Sequence, residues 1–203
     1  MRKFQKIKYN LRHLFYFFIL LILLVGYGCH GDVADPSTPL SKEDIIRYLE
    51  LEKHIEGGFF RRTYESKLRL KIENYSRDRL SLTSIFYLLT SDSSIGHFHL
   101  NKSDIVHYYH IGDPIIYYLI SPNGQLTTHK LGNNLQNNEN LQLTVPGGTW
   151  KASQLALNGK FGYGLVSEAV SPGFEYIDMQ LGNEDDLVDK FPQHKKIIQL
   201  LTK

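Results

Sequence analysis

The chain has 203 residues, room for one core, with 23 Lys and Arg against 21 Asp and Glu, a formal charge of +2. Five of those bases (Arg2, Lys3, Lys6, Lys8 and Arg12) lie in the first thirteen residues, and the remaining 18 face all 21 acids. A basic nucleic-acid-binding surface is therefore excluded, and the single cysteine excludes a disulfide within the chain.

Residues 1–28 have the anatomy of an export signal. The basic stretch precedes a 12-residue apolar run, 14–25, and then the small residues of Gly26-Tyr27-Gly28. The run is short for a membrane span, which needs about 20 apolar residues. Cys29 follows at once, as in a bacterial lipoprotein signal, which this segment resembles. Acylation of Cys29, ordinary secretion and an uncleaved anchor all fit, and each places the protein at the bacterial cell envelope. Residues 29–40, with Pro36 and Pro39, read as a tether, and 41–203 as a single domain.

Ser41 caps a predicted helix ending near Glu52, with acids in its first turn and Ile45, Ile46 and Leu49 on one face. The period then shortens to two. Strands are predicted at 59–65, 82–89, 96–99, 105–111, 115–120, 125–131, 141–145, 150–155, 162–170 and 174–179. Turn signals such as Gly112-Asp113-Pro114, Pro122-Asn123-Gly124 and Pro146-Gly147-Gly148 separate them. Many short strands at this spacing argue for an all-β sandwich or barrel. Residues 184–201 read as helical with a break at Phe191-Pro192.

Gly96-His97-Phe98-His99 carries the chemistry. Residues two apart in a strand share a face, so His97 and His99 aim at one centre, and Asp104 returns to it from a short turn. Two imidazoles and a carboxylate suit either a divalent metal (Fe, Mn, Ni or Zn) or acid–base work. Tyr108 shares the Asp104 face by alternation. His54-Ile55-Glu56-Gly57-Gly58 precedes the first core strand, where glycines permit close backbone approach and bring His54 and Glu56 to the barrel mouth. Arg61 and Arg62 point to opposite faces; Arg61 is taken as the inward anion clamp, with Thr63 on the same parity. Glu168 on a late strand is a partner for an inward arginine or for substrate hydroxyls. His107 and His110 fall on opposite faces of one strand and are set aside. No phosphate loop, serine elbow or redox cysteine pair is present in the sequence.

These residues resemble the cupin superfamily, jelly-roll β-barrels whose first motif has the form G-x5-H-x-H-x3,4-E-x6-G and whose second has the form G-x5-P-x-G-x2-H-x3-N. His97, His99 and Asp104 fall on ligand positions of the first, with Asp for Glu. Pro146 and Gly148 match the second, but its histidine falls on Lys151 and its leading glycine on Asn140. More narrowly, Arg61-Arg62-Thr63-Tyr64, Gly112-Asp113-Pro114, Val145-Pro146-Gly147-Gly148 and Ser171-Pro172-Gly173-Phe174 are similar to a small family of RmlC-like, sugar-epimerase-like cupins. The resemblance implies a double-stranded β-helix with a short N-terminal helix and C-terminal helices, a small-molecule pocket, and a homodimer. It leaves three functions open. One is binding, with isomerisation or epimerisation of a carbohydrate-like ligand by His97, His99, Asp104 and Lys151. The second is a metal-dependent oxygenase or isomerase using His97, His99 and Asp104, against which the Lys151 ammonium is repulsive. The third is a non-catalytic ligand-binding lipoprotein. In the first and third readings, His54, Glu56, Arg61, Thr63, Tyr108 and Glu168 contact the ligand.

Overall fold

The computed structural model describes residues 39–73 and 75–203. The expected export signal, Cys29 and nearly all of the tether lie outside the described residues. Helix α1, Lys42–Tyr48, opens on a capping box: Ser41 Oγ accepts the Asp44 N–H at 3.1 Å, and the Asp44 carboxylate answers the Ser41 N–H. It ends earlier than predicted because Glu50 turns the chain at φ 51° and residues 52–53 pair as a strand.

Thirteen strands follow in chain order: β1 Glu52–Lys53, β2 Phe59–Glu65, β3 Arg69–Leu70, β4 Arg79–Leu80, β5 Thr83–Thr90, β6 Ile95–Asn101, β7 Asp104–Gly112, β8 Ile115–Ile120, β9 Leu126–Leu131, β10 Gln142–Val145, β11 Trp150–Leu155, β12 Tyr163–Ser171 and β13 Met179–Leu181. They form a six-stranded sheet, β1-β2-β5-β12-β7-β10, a five-stranded sheet, β13-β6-β11-β8-β9, and the small β3-β4 pair. Every pairing between these strands is antiparallel. The two large sheets meet through Tyr87, Leu89, Ile115, Tyr117, Leu119, Leu143 and Val166. This is the all-β jelly-roll sandwich expected from the alternation.

Both sheets are also covered outside, which explains why β5 and β8 read as nearly continuous apolar runs. Ile45 and Leu51 pack with Leu88, Tyr163 and Leu165 on the six-stranded sheet. Helices α2, Glu184–Lys190, and α3, Lys195–Leu201, place Leu187, Phe191, Ile198 and Leu201 on Phe98, Ile120 and Trp150 of the other. Burial of each such side chain stabilises by about 1.5–3 kcal/mol. Among the described residues, no helix is long and apolar enough to cross a membrane.

The predicted strand over 174–179 is a correction. Tyr176–Asp178 is a single 3-10 turn and β13 starts only at Met179. The buried Arg79 guanidinium grips both oxygens of Asp178, at 2.5 and 2.9 Å, and this bends the segment away from a sheet.

Candidate functional site

A cavity of about 570 Å³ opens between the sheets at one end of the barrel. Its inner wall carries His54, Glu56, Tyr87, His99, Asn101 and Glu168, and its rim carries Glu52, Phe60, Arg62, Arg77, Phe174, Glu175 and Tyr176.

Glu56 reaches the wall because of the two glycines after it. Gly57 and Gly58 have φ of 99° and 70°, and a Cβ on Gly57 would lie 2.1 Å from the Ile95 carbonyl oxygen. That close approach lets the His97 N–H donate to the Glu56 carbonyl at 2.7 Å, tying the turn to β6. The Tyr87 hydroxyl donates to the Gly57 carbonyl at 2.9 Å, and burial pushes its pKa well up, so it keeps its proton.

His99 is the other half of the site. Its Nδ1 lies 2.8 Å from the His97 carbonyl, which only accepts, so Nδ1 carries the proton and Nε2 is the acceptor. Nε2 faces Glu56 Oε2 at 3.2 Å. Burial pushes Glu56 up to about 8, partly opposed by Lys151, and burial together with Lys151 pushes His99 down to about 3. At neutral pH the pair is therefore a carboxylic acid donating to a neutral imidazole. His54 is also neutral: burial lowers it to about 4, and its Nδ1 accepts the Glu56 N–H at 3.4 Å.

Behind Glu168 lies a buried charge cluster. Glu168 Oε1 is 3.5 Å from Lys151 Nζ and 3.2 Å from His107 Nδ1, while Lys151 Nζ lies 3.3 Å from His107 Nε2. The consistent assignment is a Lys151 ammonium donating to Nε2 and a neutral His107 donating from Nδ1 to an ionised Glu168. Burial alone would raise Glu168; Lys151 and then His107 outweigh it and hold the carboxyl far below its ordinary range.

The predicted residues divide sharply. His54, Glu56, His99 and Glu168 come together on the cavity wall. Lys151 is buried beside them but spends its charge on Glu168. His97 does not join His99, and a β-bulge is the reason. Gly96 pairs with Ser153 and His99 with Lys151, so β6 uses one more residue than β11 between those points. The alternation that would bring His97 and His99 to one face is broken, and His97 Nδ1 instead lies 3.3 Å from the Leu201 carbonyl. Asp104 is exposed, and its carboxylate accepts the Gly147 N–H at 2.8 Å, which braces a turn. Tyr108 is exposed and away from the cavity. Arg61 pairs with Glu50 at 3.2 Å while Arg62 takes the inward place. Thr63 is exposed, at a second bulge between Arg62 and Tyr64.

His107, Tyr87, Asn101, Arg62 and Arg77 join the site or its backing without having been expected there. His107 shares the parity of the buried Ile105, a usable signal; its partner Glu168 is set by the β7–β12 register, in which the two are directly paired.

The family model described as Cupin superfamily (DUF985) matches residues 43–182. The chain belongs to the cupin superfamily. Among its relatives is an uncharacterised protein of Saccharomyces cerevisiae, 39% identical over 163 residues, which are 75% of this chain and 81% of that one. Among solved structures, a hypothetical protein from Leishmania major superposes with a TM-score of 0.76 at 32% identity, covering 80% of this chain and 99% of that one. A protein from Shewanella oneidensis gives 0.72 at 37%, covering 81% and 99%.

The cupin fold and its cavity support small-molecule binding. A metal centre on His97, His99 and Asp104 is not what this cupin assembles. Among the described residues, no three His, Cys, Asp or Glu side chains converge as a metal-binding set. Of the nitrogens nearest Glu56, His99 Nε2 faces its carboxyl at 3.2 Å, and His54 Nδ1 accepts a backbone N–H.

Proposed function

We propose that this cupin is exported and binds a small polar, carbohydrate-like ligand in its barrel, where it shifts a proton between carbon and oxygen. The observation that carries the reading is the Glu56–His99 pair, a buried acid against a neutral base at 3.2 Å on the wall of a ligand-sized cavity. A ligand carbonyl oxygen takes over the Glu56 hydrogen bond and frees His99 Nε2. The proton on the adjacent carbon then passes to Nε2 while the Glu56 proton passes to the oxygen. An enediol forms beside an imidazolium–carboxylate pair, and the net charge of the site is unchanged. Reversal on the neighbouring carbon completes an isomerisation. Donor and acceptor share one wall, so the proton returns to the face it left, which favours isomerisation over epimerisation.

The test is deuterium wash-in. Aldoses and ketoses incubated with the protein in D2O are expected to gain deuterium at the carbon next to the carbonyl. His99→Ala is expected to slow this by about 10²–10⁴-fold with the fold intact. Turnover requires neutral His99 and protonated Glu56, so it is expected to fall as pH rises through about 8. Ligand binding without wash-in would replace the catalytic reading with a binding module. The export reading rests on residues 1–29; a Cys29→Ser variant still held in the membrane with its signal uncut would contradict acylation.

A further inference from the structure

The charges around the cavity identify the ligand more narrowly, on the premise that the cavity takes a carbohydrate-like molecule. Both arginines that line it are already in ion pairs among the described residues. Arg62 Nη1 lies 2.6 Å from Glu65 Oε1, and Arg77 is paired with the rim carboxylate of Glu175. The one lysine close behind the wall, Lys151, is buried against Glu168. Glu52 adds a further acid at the rim. Among the described residues that line or back the cavity, no cation is without an acidic partner, and the local balance is slightly negative.

The uncharged surface is built differently. Phe174 and Tyr176 meet edge to face at 5.1 Å on the rim, with Phe60 beside the cavity. Such a shelf receives the C–H face of a ring. Hydrogen-bonding capacity lies deeper, in the Asn101 amide, the Glu168 carboxylate and the Glu56–His99 pair. The Asn101 side-chain amide oxygen is buried with no hydrogen-bond partner among the described residues.

We infer that the ligand of this site is an uncharged polyhydroxylated ring, a neutral sugar or its glycoside, and not a sugar acid, sugar phosphate or nucleotide sugar. An anion entering here leaves its charge without a counter-ion in a desolvated site, facing Glu168 and Glu175. Specificity thus comes from the pairing that occupies the arginines.

The experiment uses matched sets sharing one ring: a neutral hexose, its uronic acid, its 6-phosphate, its 2-amino derivative and its nucleotide diphosphate conjugate. Binding to the full protein is followed by saturation-transfer NMR and calorimetry. For at least one ring, the neutral member is expected to bind about tenfold or more tightly than every anionic member. Glu175→Gln, which frees Arg77, is expected to narrow that gap for the uronate and phosphate. An anionic member equalling or exceeding its neutral counterpart overturns the inference, as does a Glu175→Gln protein whose preference is unmoved. If no member of any set binds, the underlying carbohydrate-binding reading fails and the inference with it, an outcome distinct from a reversed preference.

Discussion

Replacing Lys151 by methionine keeps the unbranched shape of the side chain, one atom shorter, and removes the ammonium from a buried cluster. In the native protein Nζ stands 3.5 Å from Glu168 Oε1, and both side chains are almost wholly buried. At that distance an effective dielectric near 20 gives an attraction of roughly 5 kcal/mol. Breaking one partner of a buried pair costs about 3–5 kcal/mol, the same size. The sign with pH follows from Glu168. Its folded pKa is depressed, so it adds stability above its ordinary value of 4.5, and that contribution is lost as pH falls. Without Lys151, burial, the largest influence on that carboxyl, is opposed only by His107 and His99, so its contribution shifts toward acid. His107, relieved of the neighbouring ammonium, takes up a proton more readily and compensates further in acid. Urea unfolding is the assay. The variant is expected to lose about 3–5 kcal/mol near neutral pH and much less near the ordinary glutamate pKa, and Lys151→Met with Glu168→Leu is expected to lose less than the single variant. A neutral-pH loss below about 1 kcal/mol, or the same loss at both pH values, would refute the charge cluster as drawn.

Three further outcomes follow from the same packing. Gly57→Ala forces a Cβ against the Ile95 carbonyl at φ 99°; it is expected to cost more than about 1 kcal/mol in urea unfolding and to weaken ligand binding by displacing Glu56. Phe191→Ala empties a buried site under the C-terminal helices and is expected to lower stability by about 3–5 kcal/mol while calorimetry shows ligand affinity unchanged. Tyr108→Ala, at an exposed position away from the cavity, is expected to leave wash-in rates at the native level; a large loss would place Tyr108 in the reaction.

The strands were legible because β-branched and aromatic runs recur between turn residues: β2, β8 and β11 begin and end at the predicted bounds. Strands β1, β3 and β4 were not, since two residues carry no period. The site was legible where local chemistry dictates it. Glycines following Glu56 announced a close approach, and the structure uses them so. It was illegible where one extra residue changes a face. The bulge in β6 parts His97 from His99, and only pairing with β11 exposes it. His107 was set aside for the complementary reason: its partners Lys151 and Glu168 lie 44 and 61 positions on, and register, not spacing, joins them. Asp104 had the spacing of a ligand and the fate of a turn brace, because the nearby Gly147 N–H claims its carboxylate.

In the working protein Glu56 stands protonated against neutral His99. This is tested by ¹³C NMR of the protein labelled at the glutamate side-chain carboxyls, with Glu56→Gln identifying the resonance. Glu56 is expected to show the chemical shift of a carboxylic acid at neutral pH and a titration midpoint near 8. A Glu56 resonance that is already a carboxylate at neutral pH, with a midpoint near its ordinary 4.5, would contradict it.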